Sequence, residues 1–475
     1  MSSVDTNLGR VLVEQIHQKR TPLAQRDRLA LASELVTDFR NGRRGFLRAV
    51  AVGSTALLMP FLKPAYASSQ IQSGTVINVT ASPFNADPTG ASDSSNAFQS
   101  ALTALTGIHG TLYVPNGNYS VGSPLSFTGG SISIVGDGEA GSVIVVKHSS
   151  TALTINCNNN YDCVTVRDIG LAPCPGSNAC AGIAFDFYFP NANSAWQHCL
   201  VENVDLGVAR PGYTCFLGGL RLTNSWIGHV QNVRMHCNIS TPTGSFFAQL
   251  NGYSIDNHFA DVRADGMDIG ISVNGYTEGL RVKSSEMITN TGIWTGSSSY
   301  SGTVGSSPLV NINQLMVSDC ELNCNVQAIN AYQIWGSFIT STHMGSKTAG
   351  IPTCTLLGSC NTMFSNCLFT GQLNSTGAQS PFTGLLLEGS NPSWHSASNQ
   401  LMGCTFANQQ YGIVLGAGTV NTTGTGTSFL APGDGSMVTS PTQIGSLQFA
   451  PVVDNSGNAT NAIGWMGAAG MVVIR

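Results

Sequence analysis

The sequence predicts an all-β chain wound into a parallel β-helix, and three observations carry that prediction. Charge is scarce: 9% of the 475 residues are Asp, Glu, Lys or Arg, against roughly 25% in an average soluble protein. Helices expose such residues on their outer faces, so a mainly helical or α/β chain is disfavoured. Beyond residue 118 the apolar stretches are short β-runs broken by Gly, Asn, Ser and Thr. Finally, an irregular internal repeat runs through the chain. Hydrophobic residues at 42% exclude a disordered polymer, and a net charge of −5 argues against a nucleic-acid partner.

The repeat aligns Val166-Arg167-Asp168-Ile169, Val201-Glu202-Asn203-Val204, Val230-Gln231-Asn232-Val233, Phe259-Ala260-Asp261-Val262, Val282-Lys283-Ser284-Ser285, Val317-Ser318-Asp319-Cys320, Phe364-Ser365-Asn366-Cys367 and Met402-Gly403-Cys404. Their last positions stand 23 to 47 residues apart, and the 47-residue step holds two coils if His343 fills the missing place. Repeats of this length suit a β-helix, in which each turn buries a few inward side chains against the next. The scarcity of charge follows. Coils stack at about 4.8 Å, so a like charge on every coil is penalised, whereas Asn, Ser, Thr and Gly suit turns and ladders. Cys320, Cys367 and Cys404 end the inward row and read as a buried ladder.

Taken in order, residues 1–67 stand apart. They carry 10 Lys or Arg and 5 Asp or Glu, while residues 68–475 carry 10 and 20. Asn41-Gly42-Arg43-Arg44-Gly45-Phe46-Leu47-Arg48 resembles a twin-arginine (Tat) export signal. The apolar run Ala49–Leu62 follows, and Ala65-Tyr66-Ala67 has the small-x-small form that signal peptidase accepts. The run is too short to span a bilayer comfortably. The expectation is cleavage after Ala67, export to the periplasm or beyond, and no membrane attachment afterwards. An exported chain meets an oxidising compartment. All 13 cysteines lie past the cleavage point, and Cys157/Cys163, Cys174/Cys180 and Cys354/Cys360 share a spacing that suits disulfide-closed loops. No close pair of C-x-x-C motifs marks a zinc site.

Residues 68–440 are expected to form the β-helix, with an N-terminal cap over 76–127, and 441–475 a terminal cap or tail. One helix is clear. Asp93 and Ser94 can cap it, and Ala97, Phe98, Ala101, Leu102 and Leu105 form its apolar face. The strand Gly110–Val114 and the turn Pro115–Asn118 follow. The helix protects an otherwise open sheet edge.

Val76-Ile77-Asn78-Val79, Asn85-Ala86-Asp87-Pro88-Thr89-Gly90, the helix over 94–105, and Gly110-Thr111-Leu112-Tyr113-Val114-Pro115-Asn116-Gly117-Asn118-Tyr119 together resemble the opening module of the pectate-lyase-like superfamily, in its rhamnogalacturonase- and epimerase-like branch. The match covers about 50 residues of this chain. The family usually has two Asp before the helix, where this chain has Asp93-Ser94-Ser95. The resemblance implies a single-stranded right-handed parallel β-helix with an N-terminal capping helix. It also implies action on a polysaccharide.

Strand alternation places the neighbours of the inward row on the surface. One flank reads Asp168, Asn203, Asn232, Asp261, Ser284, Asp319; the other reads Gly170, Asp205, Arg234, Arg263, Glu286, Glu321. In so lightly charged a chain, this concentration marks the candidate catalytic set: Arg234, Asp261, Arg263, Glu286, Asp319 and Glu321. Hydrolysis needs one carboxylic acid for the leaving oxygen and a second carboxylate for water or the sugar. Asp261, Glu286, Asp319 and Glu321 can supply both. β-Elimination needs a base and a cation facing the sugar carboxylate, which Arg234 and Arg263 with flanking acids can supply, with or without Ca²⁺. A salt-bridged surface ladder is the alternative.

Motif resemblances are partial. Polygalacturonase-like hydrolases carry an adjacent Asp pair that this chain lacks, although Gly228-His229 and Arg281-Val282-Lys283 resemble two other pieces of their pattern. Ile255-Asp256-Asn257-His258 and Asp265-Gly266-Met267-Asp268 resemble two pectate-lyase segments. That resemblance implies Ca²⁺ ligation by Asp256, Asp265 and Asp268; ordinary turns are the competing reading. Trp196, Tyr213, Trp226, Tyr253, Tyr276, Trp294 and Trp335 are candidates for stacking on sugar rings.

The functional expectation is an exported carbohydrate-active enzyme, a lyase or hydrolase of an acidic polysaccharide. The alternative is a β-helix that binds or organises polysaccharide without cleaving it, tailspike- or adhesin-like, as a monomer or a trimer.

Overall fold

The computed structural model describes residues 74–430 except 160, 174–180, 191–197, 208–214, 238–240, 296–302, 305–306, 309–311, 372–381, 391–394, 408, 410, 417–418 and 421, together with short strands at 303–304, 307–308, 442–448, 466–467 and 470–474. The twin-arginine-like segment at 41–48, Cys174, Cys180, Trp196 and Tyr213 lie outside the described residues.

Within the unit Gly74–Arg475 the described residues form a right-handed parallel β-helix, with antiparallel pairings near its C-terminal end, Thr423–Leu430 with Thr442–Gln448 and Met466–Gly467 with Gly470–Ile474. Its coils feed two long sheets, one of 22 strands and one of 15. The N-terminal cap is built as its residues dictate. The helix spans Ser95–Ala104 and buries Phe98, Ala101 and Leu102. Asp93 caps it, its Oδ1 accepting from Ser95 N at 3.0 Å and Ser95 Oγ at 2.6 Å. Those bonds hold the Asp93 carboxyl below its usual range. Ser94 points away instead, its Oγ accepting from Asp87 N. Asp87 in turn folds the preceding loop, accepting from Thr89 N, Thr89 Oγ1 and Ser92 N. Its pKa is lowered to about 2, first by the Thr89 hydroxyl.

The repeat has a definite geometry. In each four-residue segment the first and last residues point inward, the second points outward, and the third is a bend. The first positions Val166, Val201, Val230, Phe259, Val282 and Val317 are at most 1% exposed. The third positions have φ between 49 and 57° at Asp168, Asn203, Asn232, Asp261, Ser284 and Asp319. This left-handed conformation is costly for most side chains and least so for Gly, Asn and Asp. The bend divides each coil's contribution to the larger sheet into two short arms. Side chains on the bend also stack: Asn203 Nδ2 donates to Asp168 Oδ1 and Asn232 Nδ2 to Asn203 Oδ1, both at 2.9 Å.

The register of the inward ladder is Ile169, Val204, Val233, Val262, Ser285 and Cys320, read from the pairing of the adjoining residues. The extra coil in the 47-residue step exists, but Thr342 fills its inward place, 1% exposed. His343 stands one residue on, facing outward beside Glu321. Cys367 and Cys404 complete the ladder and are buried.

Equal spacing does not pair the cysteines: Cys157, Cys163, Cys354 and Cys360 are free thiols. Cys354 faces the core from the strand Pro352–Leu357. Cys360 lies beyond the left-handed Gly358 and donates to the His395 carbonyl at 3.3 Å.

Candidate active site

The second arm of each coil, just past the bend, presents one outward row. In successive coils it reads Asp205, Arg234, Arg263, Glu286, Glu321, His343 and Leu368, each in direct parallel register with the next. Centred on this row is an open groove of about 830 Å³. Asp261, Arg263, Glu286, Asp319 and Glu321 line it, joined by Ser341 and His343. Five of the six catalytic candidates therefore share one groove.

Their roles differ. Arg263 Nη1 lies 3.2 Å from Glu286 Oε2, and Nη2 lies 4.0 Å from Asp265 Oδ2. Glu321 Oε1 accepts from Asn323 Nδ2 at 3.0 Å and lies 3.9 Å from His343 Nδ1. His343 Nε2 shares a hydrogen bond with Thr370 Oγ1 at 2.8 Å, which fixes the ring. The row thus runs Arg263, Glu286, Glu321, His343, with the two acids directly opposed on adjacent coils. Like charges in that position destabilise a sheet, a cost that the register partners Arg263 and His343 offset in part.

Asp261 and Asp319 have a reason in the fold itself. Plain alternation makes them surface acids, but they occupy the left-handed bend, where Asp serves the backbone whatever its charge. Arg234 pairs with Glu139 from an early turn and does not line the groove. Asp205, at the head of the row, has its carboxyl pKa raised by burial, an effect only partly opposed by His236.

The three proposed calcium ligands have separate partners. Asp256 sits on another left-handed bend, 3.9 Å from Arg281 Nη2. Asp265 Oδ2 lies 3.0 Å from His236 Nδ1. Asp268 accepts from Gly244 N at 2.7 Å and Asn290 Nδ2 at 2.9 Å. Among the described residues, no three His, Cys, Asp or Glu side chains form a candidate metal site. The Asp triad does not fit Ca²⁺.

On the first arm, before the bend, His229, His258 and Arg281 stand in register, and Lys283 faces outward two residues beyond Arg281. The two imidazoles meet edge to face at 5.7 Å. Burial, then neighbouring cationic groups, lower both pKa values. The two motif fragments Gly228-His229 and Arg281-Val282-Lys283 thus meet on one face, linked by His258. Trp226, Tyr253 and Tyr276 instead cover one another, Tyr253 and Tyr276 lying parallel at 4.9 Å. They form a packed ladder. Burial and the nearby Glu278 push the Tyr276 hydroxyl to about 12.

Sequence reasoning missed His343 as a groove residue because it was placed in the inward row. The signal was available, since Thr342 precedes it in a stretch that repeats the inward-bend-inward pattern. Glu139 carried no signal, because its contact with Arg234 spans 95 residues.

Stacked parallel coils with a charged groove on the outer sheet face define a pectate-lyase-like β-helix. The rhamnogalacturonase A/epimerase, pectate lyase-like family matches residues 76–351, and the chain belongs to that family. The N-terminal fragment of bacteriophage phi29 gene product 12 shares the fold, with a TM-score of 0.52 and 14% identity over 74% of this chain and 66% of that one. The A-module of mannuronan C-5 epimerase AlgE4 from Azotobacter vinelandii is similar, with a TM-score of 0.48 and 16% identity over 72% of this chain and 91% of that one. None of the curated protein sequences matches the chain significantly.

Proposed function

We propose that this chain is an exported, polysaccharide-cleaving enzyme whose acid–base pair is Glu286 and Glu321. The carrying observation is their direct opposition on adjacent coils inside the groove. Hydrolysis is the chemistry such a pair supports. One carboxylic acid protonates the leaving oxygen, and the other carboxylate attacks the sugar or activates water. Arg263 holds Glu286, and Asn323 with His343 holds Glu321.

β-Elimination asks for a cation free to meet the sugar carboxylate. Arg263 and Arg234 are already engaged by acids, and the exposed cations Arg281 and Lys283 stand on the first arm rather than in the row of Glu286 and Glu321, which favours hydrolysis. An acidic polymer is supported by Arg281 and Lys283 beside the groove. Both are exposed, and the carboxylate nearest Arg281 is 3.9 Å away. Export rests on the twin-arginine-like segment at 41–48.

The test is incubation with a panel of acidic and neutral polysaccharides, following reducing ends and ultraviolet absorbance together. New reducing ends without absorbance are expected. Unsaturated product would replace hydrolysis by elimination, and retention of polymer without shortening would replace catalysis by binding.

A further inference from the structure

The inward ladder changes composition along the helix axis. Its first coils carry Ile169, Val204, Val233 and Val262, and its later ones Ser285, Cys320, Thr342, Cys367 and Cys404. Ser285 and Thr342 show that small side chains of different chemistry fit this place. Volume alone therefore gives no reason for Cys on two successive coils. Thr342 separates Cys320 from Cys367, whereas Cys367 and Cys404 are direct neighbours: Leu368 and Thr405, the residues that follow them, are register partners. Thr405 N donates to the Cys367 carbonyl at 2.8 Å, which ties the two backbones at this point.

The two cysteines are built alike. Each follows a left-handed residue, Asn366 with a φ of 54° and Gly403 with a φ of 62°. The matching bends aim both side chains inward, where they are at most 2% exposed. In-register coils place paired Cα atoms about 4.8 Å apart, inside the range of roughly 4.4–6.8 Å that disulfides span. Both thiols are free. They share a hydrogen bond, which lowers the pKa of Cys404 against the opposing effect of burial and raises that of Cys367. Cys367 Sγ also lies 3.2 Å from the Ile339 carbonyl oxygen and 3.5 Å from that of Ser365, and Cys404 Sγ 3.7 Å from that of Met402. A thiol is a weak donor, so little is lost when these protons leave.

We propose that Cys367 and Cys404 form a modification site, closed by two-electron oxidation to a disulfide between successive coils. With hydrogen peroxide as the oxidant, the Cys404 thiolate attacks one peroxide oxygen. The O–O bond breaks, Cys404 becomes a sulfenic acid, and hydroxide leaves. Cys367 then attacks that sulfur: the S–S bond forms, the S–O bond breaks, and the oxygen departs as water. The two thiol protons end in the two waters formed, and the peroxide takes up both electrons. An exported chain meets oxidising conditions of this kind. The bond also braces a strand the groove uses. Leu368–Gly371 starts directly after Cys367 and carries Thr370, whose hydroxyl bonds the groove residue His343 at 2.8 Å.

The test uses the purified full chain in two treatments. One sample is exposed to hydrogen peroxide in the native state. The other is refolded from urea in a mixture of reduced and oxidised glutathione, which removes any barrier of access to the buried pair. Remaining thiols are alkylated and the chain is digested for mass spectrometry. A linked peptide pair holding Cys367 and Cys404 is expected in both samples, lighter by two hydrogens than the reduced peptides. Linked protein should melt about 2–5 °C above the reduced form. Cys404→Ser should melt close to the reduced wild type and lose both the linked pair and the rise, whereas Cys163→Ser, which removes a thiol outside the ladder, should keep both. Absence of the linked pair from both wild-type samples would overturn the proposal, whether or not either variant folds. So would linkage of Cys367 or Cys404 chiefly to some other cysteine, or a Tm that falls when the bond forms, since such a bond would not fit the native stack.

Discussion

Two rows of acids lie on either side of one buried ladder, and they have different origins. Asp168, Asp261 and Asp319 precede the inward residue and occupy a left-handed bend. Asn, Ser and Gly replace Asp at the same bend in other coils, as a conformational requirement allows. Glu286 and Glu321 follow the inward residue, on regular strand. No bend needs them, and their opposition costs stability. A charge that the backbone explains is weak evidence of chemistry, and a charge the backbone would rather avoid is stronger.

The comparison can be broken most sharply on the strand row. Glu321→Gln should lower kcat by about 10²–10⁴-fold with little change in polymer retardation; activity within twofold of wild type would remove Glu321 from the reaction. Next in size is a conformational effect on the bend row. Asp319→Val places a β-branched residue at a φ of 55° and should cost about 1–3 kcal/mol, read from denaturant unfolding. An unchanged midpoint would mean that the bend relaxes freely.

A smaller effect comes from His229 and His258. Their pKa values are lowered in the fold, chiefly by burial, so the unfolded chain binds protons more readily. The sign follows: stability is full above the ordinary His value of about 6.5 and is lost as pH falls through the folded values. Thermal melts from pH 7.5 to 5.5 should show a drop that shrinks in a His229→Gln, His258→Gln variant; equal slopes would contradict this. The smallest effect belongs to Asp261→Asn and Asp319→Asn. Both should fold within about 0.5 kcal/mol of wild type and keep near-normal rates, since Asn suits the bend as well as Asp.

Much of the fold was legible because a β-helix writes its period into the chain. The segments Val-Glu-Asn-Val and Phe-Ala-Asp-Val display two inward positions and a bend, and the capping helix displays its apolar face. The groove was legible in part, since Arg263, Glu286 and Glu321 fall at one place in the repeat. The role of Asp261 and Asp319 was not, because strict alternation assumes extended strand and a bend residue breaks it. Glu139 and the Asp265–His236 pair were hidden for another reason: which side chains meet across distant coils depends on stacking order, which spacing alone does not give.

The central claim is that Glu286 and Glu321 act as one pair, and a double-mutant cycle on a polymer cut by the wild type tests it most directly. Groups that act together lose their effect together. The account predicts that Glu286→Gln and Glu321→Gln each remove most of the turnover and that the double variant is less than about tenfold worse than the weaker single one. Losses that multiply, or a single variant that turns over normally, would contradict it.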